Sequence, residues 1–148
     1  MADPIISITF KDQLIQEKLK IVSEKIADPS ELMEEFGQIV KLSTDQRWAA
    51  ELDPDGNTWV ENTAYTRALK QAQGFIDKPL QASGRARASI DYEVDKDQVA
   101  IGTNVGYMAD HQLGANGQKQ RKFLGISEED EIEIAIAADD YIKRTIES

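Results

Sequence analysis

Apolar positions along the chain change period several times, and each change marks an element. Ile5-Ile6-Ser7-Ile8-Thr9-Phe10 is rich in β-branched side chains, which predicts a strand or an extended arm. Ile15, Leu19, Val22 and Ile26 then recur at helical spacing among Lys and Glu, so residues 11–27 read as an amphipathic helix. Asp28-Pro29-Ser30-Glu31 is a start signal for a second helix: Asp28 caps, Pro29 suits the first helical position and Glu31 completes a capping box. Leu32, Phe36, Ile39 and Val40 supply its apolar stripe, which runs towards Trp48 with a weak point at Gly37.

The middle of the chain is more broken. Asp53-Pro54-Asp55-Gly56-Asn57 is dense in turn formers and reverses the chain before Thr58-Trp59. Residues 61–73 are mostly helix formers, interrupted by Gly74 and Pro79, and the stretch Ser83 to Ile90 suits a further short helix. Ile90 to Val94 alternates apolar and polar, Asp95-Lys96-Asp97 turns, and Val99 to Thr103 follows, which together predict a β-hairpin. Gly114 to Gln120 has nothing to bury and is expected to be a mobile loop. Ser127 with Asp130 forms a capping box ahead of a last helix over 127–146, although the alternation Glu131 to Ile136 also fits a strand. The expected fold class is α+β, one domain over residues 1–148, with long amphipathic helices packed on a small antiparallel sheet or hairpin and a helix at the C-terminal end.

Charge narrows the partners. The 148 residues carry 27 acids against 17 Lys and Arg, a formal net charge of −10, which repels phosphate backbones and anionic lipid heads. Protein partners are therefore expected, with neither a membrane nor sequence-specific nucleic acid among them. The acidic start Met1-Ala2-Asp3-Pro4 and the short apolar run after it suit neither a signal peptide nor a membrane span. No cysteine is present, so disulfides, thiolate zinc sites and thiol catalysis are excluded, and a reducing compartment fits.

Catalytic chemistry is hard to assemble from these residues. His111 is the sole histidine, and no G-x-S-x-G elbow, H-E-x-x-H helix or phosphate-binding glycine loop occurs. Tyr107 and His111 are spaced to share a helical face, and a packed, structural histidine is the plainer reading. The acids of 53–57 do not meet the spacing of a calcium loop, so no metal or cofactor is expected there. Paired carboxylates suffice for glycoside hydrolysis, but with so many acids some pair falls at the needed spacing by chance. Arg85, Arg87, Lys119, Arg121 and Lys122 are the local excesses of positive charge, read either as a phosphate-contacting patch or as partners for the surplus acids. Phe36, Trp48, Trp59 and Phe123 are core candidates, any one of which also suits an interface anchor.

Several stretches taken in order resemble the phage virion morphogenesis family, which includes tail completion proteins of Mu-like and related contractile-tailed phages. They are Gln46-Arg47-Trp48, Asp53 to Trp59, Leu80 to Arg85 with Ser89-Ile90, Val99 to Asn104, Tyr107 to Gly114 and Arg121 to Ser127. Three positions depart from the family pattern: Trp48 stands where Phe is usual, Ala86 where Leu is common, and Lys122 where Pro is typical. The first 45 residues carry little of the likeness. The resemblance implies an α+β fold and no catalytic residues. It also implies a place in the virion at the head–tail junction, after assembly in the host cytoplasm, as a neck component or tail terminator. Ring-like homo-oligomers, sixfold in this reading, and neighbours such as tube, sheath or connector proteins come with it. The alternative functions are a capsid assembly factor that leaves before maturation and, more remotely, a carboxylate-dependent glycan hydrolase.

Charge order adds one expectation about contacts. The basic residues Lys119, Arg121 and Lys122 lie just before the acids Glu128, Glu129, Asp130 and Glu131, so a head-to-tail ring would pair the two sets across subunits. Phe123 and Leu124 then either anchor in a neighbour or cover the protein's own core.

Overall fold

The computed structural model describes residues 5–7, 13–74, 79–80, 84–95 and 98–145. Expectations for 1–4, 8–12, 75–78, 81–83, 96–97 and 146–148, including the far half of the 5–10 strand and the hairpin turn, lie outside these residues. The order is β1 (Ile5–Ser7), α1 (Gln13–Lys25), α2 (Ser30–Ala50), α3 (Ala64–Ala72), α4 (Arg85–Ala88), β2 (Asp91–Asp95), β3 (Gln98–Gly102), α5 (Met108–Leu113) and α6 (Glu128–Thr145). The fold is α+β, as expected.

The central element is α2. It packs against β2 and β3 on one side and α6 on another, while α1 packs on α6. A helix covered on more than one side must be apolar over more than one stripe. Accordingly Leu32, Met33, Phe36, Val40 and Trp48 are all buried. Asp28 does help to start this helix, its Oδ1 accepting from Ser30 N at 3.1 Å, but the cap falls at Pro29, one position later than the sequence suggested. Glu31 lies 3.9 Å from Arg144 of α6 rather than completing a capping box at this start.

Gly37 does not weaken α2, because a neighbouring ring requires it. A Cβ at this position would lie 2.3 Å from the Tyr92 ring of β2, inside van der Waals contact. The same tyrosine donates its hydroxyl to Glu34 Oε1 at 2.6 Å, so the missing side chain lets sheet and helix close up. The sheet itself is antiparallel with order β1-β3-β2; Val94 pairs with Val99 and Tyr92 with Ile101 across the hairpin, and Ile6 pairs with Ile101 on the other edge.

The last helix resolves the ambiguity at 131–136 in favour of helix. Ser127 Oγ accepts from Asp130 N at 3.1 Å while Asp130 Oδ2 accepts from Ser127 N at 3.0 Å, the reciprocal capping box that the sequence predicts. Glu128, Glu129 and Glu131 share its first turn, where the helix dipole favours negative charge, and Lys143 and Arg144 its last. Ile134, Ala138 and Tyr141 face inward, one helical turn apart. No described helix is long and apolar enough to cross a membrane.

A candidate interface between two differently built regions

One region is a junction where the end of α2, the turn after it and the approach to α6 meet. Trp48 is fully buried, its ring centroid 5.5 Å from that of Trp59 in an edge-on contact and 5.2 Å from that of Phe123. Trp59 reaches this cluster because residues 53–57 do form the predicted turn, in which Asp53 Oδ1 accepts from the Asp55 and Asn57 amides at 2.9 Å each. The indole of Trp59 then donates to Lys122 O at 2.8 Å, tying the turn to the loop before α6.

Polar groups in the junction are matched in the same way. Arg47 and Asp130, with 10% and 3% of their side chains exposed, form an ion pair at 3.0 Å. Arg47 also donates to Gly125 O at 3.1 Å and to Ser43 Oγ at 2.5 Å. A buried pair of this kind holds register rather than adding net stability, since desolvation offsets most of the attraction. Gly125 has its own constraint: a Cβ there would stand 2.6 Å from the Pro54 ring. Gln112 of α5 closes the remaining side, its Oε1 accepting from the Phe123 and Leu124 amides at 2.9 and 3.1 Å and its Nε2 donating to Leu124 O at 3.0 Å.

Four of the nine residues expected at a subunit contact are therefore spent inside the chain. Phe123 and Leu124 are buried and cover the protein's own core, the second of the two readings. Asp130 is buried in the capping box and the pair with Arg47. Arg121 is buried as well, and its guanidinium donates to Val60 O at 2.7 Å and Glu61 O at 3.0 Å, with burial drawing its pKa below the usual guanidinium value. In sequence Arg121 is indistinguishable from its exposed neighbours; only the two carbonyls brought to it from 60 residues away claim it. Lys119, Lys122, Glu128 and Glu129 are exposed and Glu131 is partly so.

The expectation that basic residues meet the surplus acids holds for Arg87, which bonds both carboxylate oxygens of Asp45 at 2.6 and 3.1 Å and holds that carboxyl below its usual range. With Arg87 and Arg121 engaged, the five cations noted in the sequence do not make a free phosphate-contacting set. The loop 114–120 is exposed but tied: Asn116 donates to Asp110 Oδ1 at 2.8 Å, Gln120 Nε2 to Gln112 O at 3.2 Å, and Arg121 N to His111 O at 2.7 Å.

The second region is a cleft of about 380 Å³ between α3, α5 and this loop. Among the described residues it is lined by Lys70, His111, Lys119 and Arg121 together with Thr63 and Thr66, and by no carboxylate. Tyr107 and His111 share a face of α5 as expected, ring centroids 6.4 Å apart. His111 Nδ1 is buried with no hydrogen-bond partner among the described residues, and burial, reinforced by the nearby Arg121 charge, lowers the imidazole pKa below its ordinary value. A neutral imidazole is what such a setting favours. Lys70 is the residue that sequence reasoning passed over: it is the only position of α3 that is buried. Its signal was available, since Thr66 and Lys70 lie one turn apart on one face of the predicted helix.

A family model for the phage virion morphogenesis family matches residues 10–143. The chain belongs to that family. The match reaches back through α1 and α2, so residues 10–45, which carry little visible likeness, are part of the family pattern too. No curated protein and no solved structure matched the chain.

Family membership gives the ordered stretches a common physical sense. Arg47-Trp48, Asp53 to Trp59, Gln112 and Arg121 to Ser127 are the members of the junction. Ser89 and Thr103, in two further stretches, hydrogen-bond to each other through their hydroxyls, and Thr103 Oγ1 accepts from Val105 N at 3.0 Å. The departures fit as well. Trp48 and Ala86 are apolar and buried where the family is apolar, and Lys122 keeps the one backbone contact a proline would also offer, its carbonyl.

Proposed function

We propose that this phage virion morphogenesis protein is a non-enzymatic component of the head–tail junction, completing the tail or joining it to the head as a neck or terminator ring. The observation that carries the reading is the family match over 10–143, in a chain whose family motifs form intramolecular clips and a dry aromatic cluster. Motif residues used in this way specify a rigid frame. Such a frame suits a part held in fixed register among copies of itself and the neighbouring tube, sheath or connector proteins. In this reading the ring is a homo-oligomer, sixfold, built in the host cytoplasm and retained in the virion. No observation favours the hydrolase alternative: among the described residues no carboxylate lines the cleft between α3 and α5, and no cluster of His, Cys, Asp and Glu is arranged for a metal.

Cryo-electron microscopy of purified particles tests the reading directly. Density for this chain in a ring at the neck is the expected result. Its absence from mature particles, with assembly still dependent on it, would instead support the capsid assembly factor.

A further inference from the structure

We propose that Asn116 is a site of spontaneous covalent modification, deamidation, and that the conversion releases the tip of the 114–120 loop from α5. The chain holds four asparagines, and three of them, Asn57, Asn62 and Asn104, are followed by Thr58, Thr63 and Val105. Asn116 alone is followed by glycine. Deamidation begins when the next residue's amide nitrogen attacks the asparagine side chain, a step that a β-branched neighbour hinders and glycine leaves open.

Local geometry explains why this pair stands here. Asn116 and Gly117 have φ of +52° and +80°, and Gln118 N donates to Ala115 O at 3.0 Å, so the two form the centre of a tight turn. Asn and Gly accept that left-handed conformation at the least cost, so the turn selects the pair that is also the most reactive. Asn116, Gly117 and Gln118 are all exposed and lie outside any helix or strand, so water reaches the side chain. One contact restrains it: Asn116 Nδ2 donates to Asp110 Oδ1 at 2.8 Å.

The reaction needs no co-reactant but water. The Gly117 nitrogen bonds to the Asn116 side-chain carbonyl carbon and gives up its proton, Nδ2 takes up a proton and leaves as ammonia, and a five-membered succinimide closes. Water then adds at one or other ring carbonyl and breaks its bond to nitrogen, giving aspartate or isoaspartate. Either product puts a second carboxylate where Asp110 now accepts a hydrogen bond, and like charges at that separation repel. The base of the loop keeps its ties, Gln120 Nε2 to Gln112 O and Arg121 N to His111 O, so the release is confined to the tip. Gly117 and Gln118 line the cleft between α3 and α5, and their movement opens that wall. Because the amide does not re-form, the change happens once per chain and marks aged molecules.

Peptide mapping by mass spectrometry of the full chain, held at physiological temperature and pH and sampled over time, tests the site. Aspartate and isoaspartate should accumulate at Asn116 while Asn57, Asn62 and Asn104 keep their amides, although Asn57 and Asn104 are exposed too. Asp110→Ala removes the restraint and should speed the conversion about tenfold, the factor expected when a hydrogen bond to a charged group is lost. Asn116→Asp carries one product from the start, and should raise amide hydrogen exchange about tenfold at 115–118 while leaving α6 unchanged. Asn116 is exposed, so this variant should fold as the wild type does and keeps the test open even where Asp110→Ala proves unstable. An Asn116 that keeps its amide while the urea-unfolded chain loses it, or conversion spread evenly over the four asparagines, overturns the site. A rate unmoved by Asp110→Ala overturns the restraint, and unchanged exchange at 115–118 in Asn116→Asp overturns the release.

Discussion

The junction and the cleft share Arg121, and they handle polar groups in opposite ways. In the junction Arg47 meets Asp130, Gln112 clips two amides, and Trp48, Trp59 and Phe123 exclude water. In the cleft a lysine and a histidine face an open volume, while the apolar side chains of the same helices face solvent. The first arrangement pairs most of its polar groups within the chain, Arg47 Nε excepted, and so makes a frame. The second leaves apolar side chains in solvent and, among the described residues, His111 Nδ1 without a hydrogen-bond partner. The family motifs are concentrated in the frame, whereas Lys70, Tyr65 and Leu69, which give the cleft its character, lie outside those stretches.

The contrast can be broken most forcefully at Trp48. Replacing it with Ala removes the centre of the aromatic cluster and should cost about 3–5 kcal/mol in denaturant unfolding. A loss below about 1 kcal/mol would mean the junction is not the frame described here. Next is Arg121→Met, which keeps the buried stem but leaves the Val60 and Glu61 carbonyls without their donor. A loss of about 1–3 kcal/mol is expected, with faster hydrogen exchange across residues 60–72 than across α6. Equal acceleration everywhere would show that Arg121 does not link α3 to the frame.

Two smaller effects sharpen the boundary. Ser127→Ala removes half of the capping box and should cost about 1 kcal/mol, read from the unfolding midpoint, while leaving the cleft's chemistry unchanged. His111 gives the smallest effect and a sign. Because burial and Arg121 lower its folded pKa below 6.5, the unfolded chain binds the proton more readily, so stability should fall as pH drops through and below that value. His111→Gln should flatten that part of the stability profile. An unchanged slope would assign it to other groups.

Much of the frame was legible along the chain. The apolar period located α1, α2 and α6, the Ser127–Asp130 spacing announced its cap, and the turn formers of 53–57 and the alternation of 90–103 placed turn and hairpin. Those signals are local, depending on residues within one turn or one strand pair of each other. Charge order along 119–131 pointed to a contact that included Lys119, Lys122, Glu128, Glu129 and Glu131, none of which is buried. It could not separate these from Arg121, Phe123, Leu124 and Asp130, whose burial depends on residues brought from elsewhere in the chain.

By itself, then, the amino-acid sequence determined the elements, the excess of acid, the absence of cysteine and the ordered stretches that resemble the family. Tertiary structure alone decided which charges remain available. Val60 and Glu61 carbonyls take up Arg121, and Arg47 takes up Asp130. The Tyr92 ring turns Gly37 from a weakness into a requirement, and α3 presents its polar side to the body and its apolar side to water. The physical reason is one of range: propensity and capping act over a few residues, whereas burial and ion pairing depend on which distant segments the fold brings within a few ångströms.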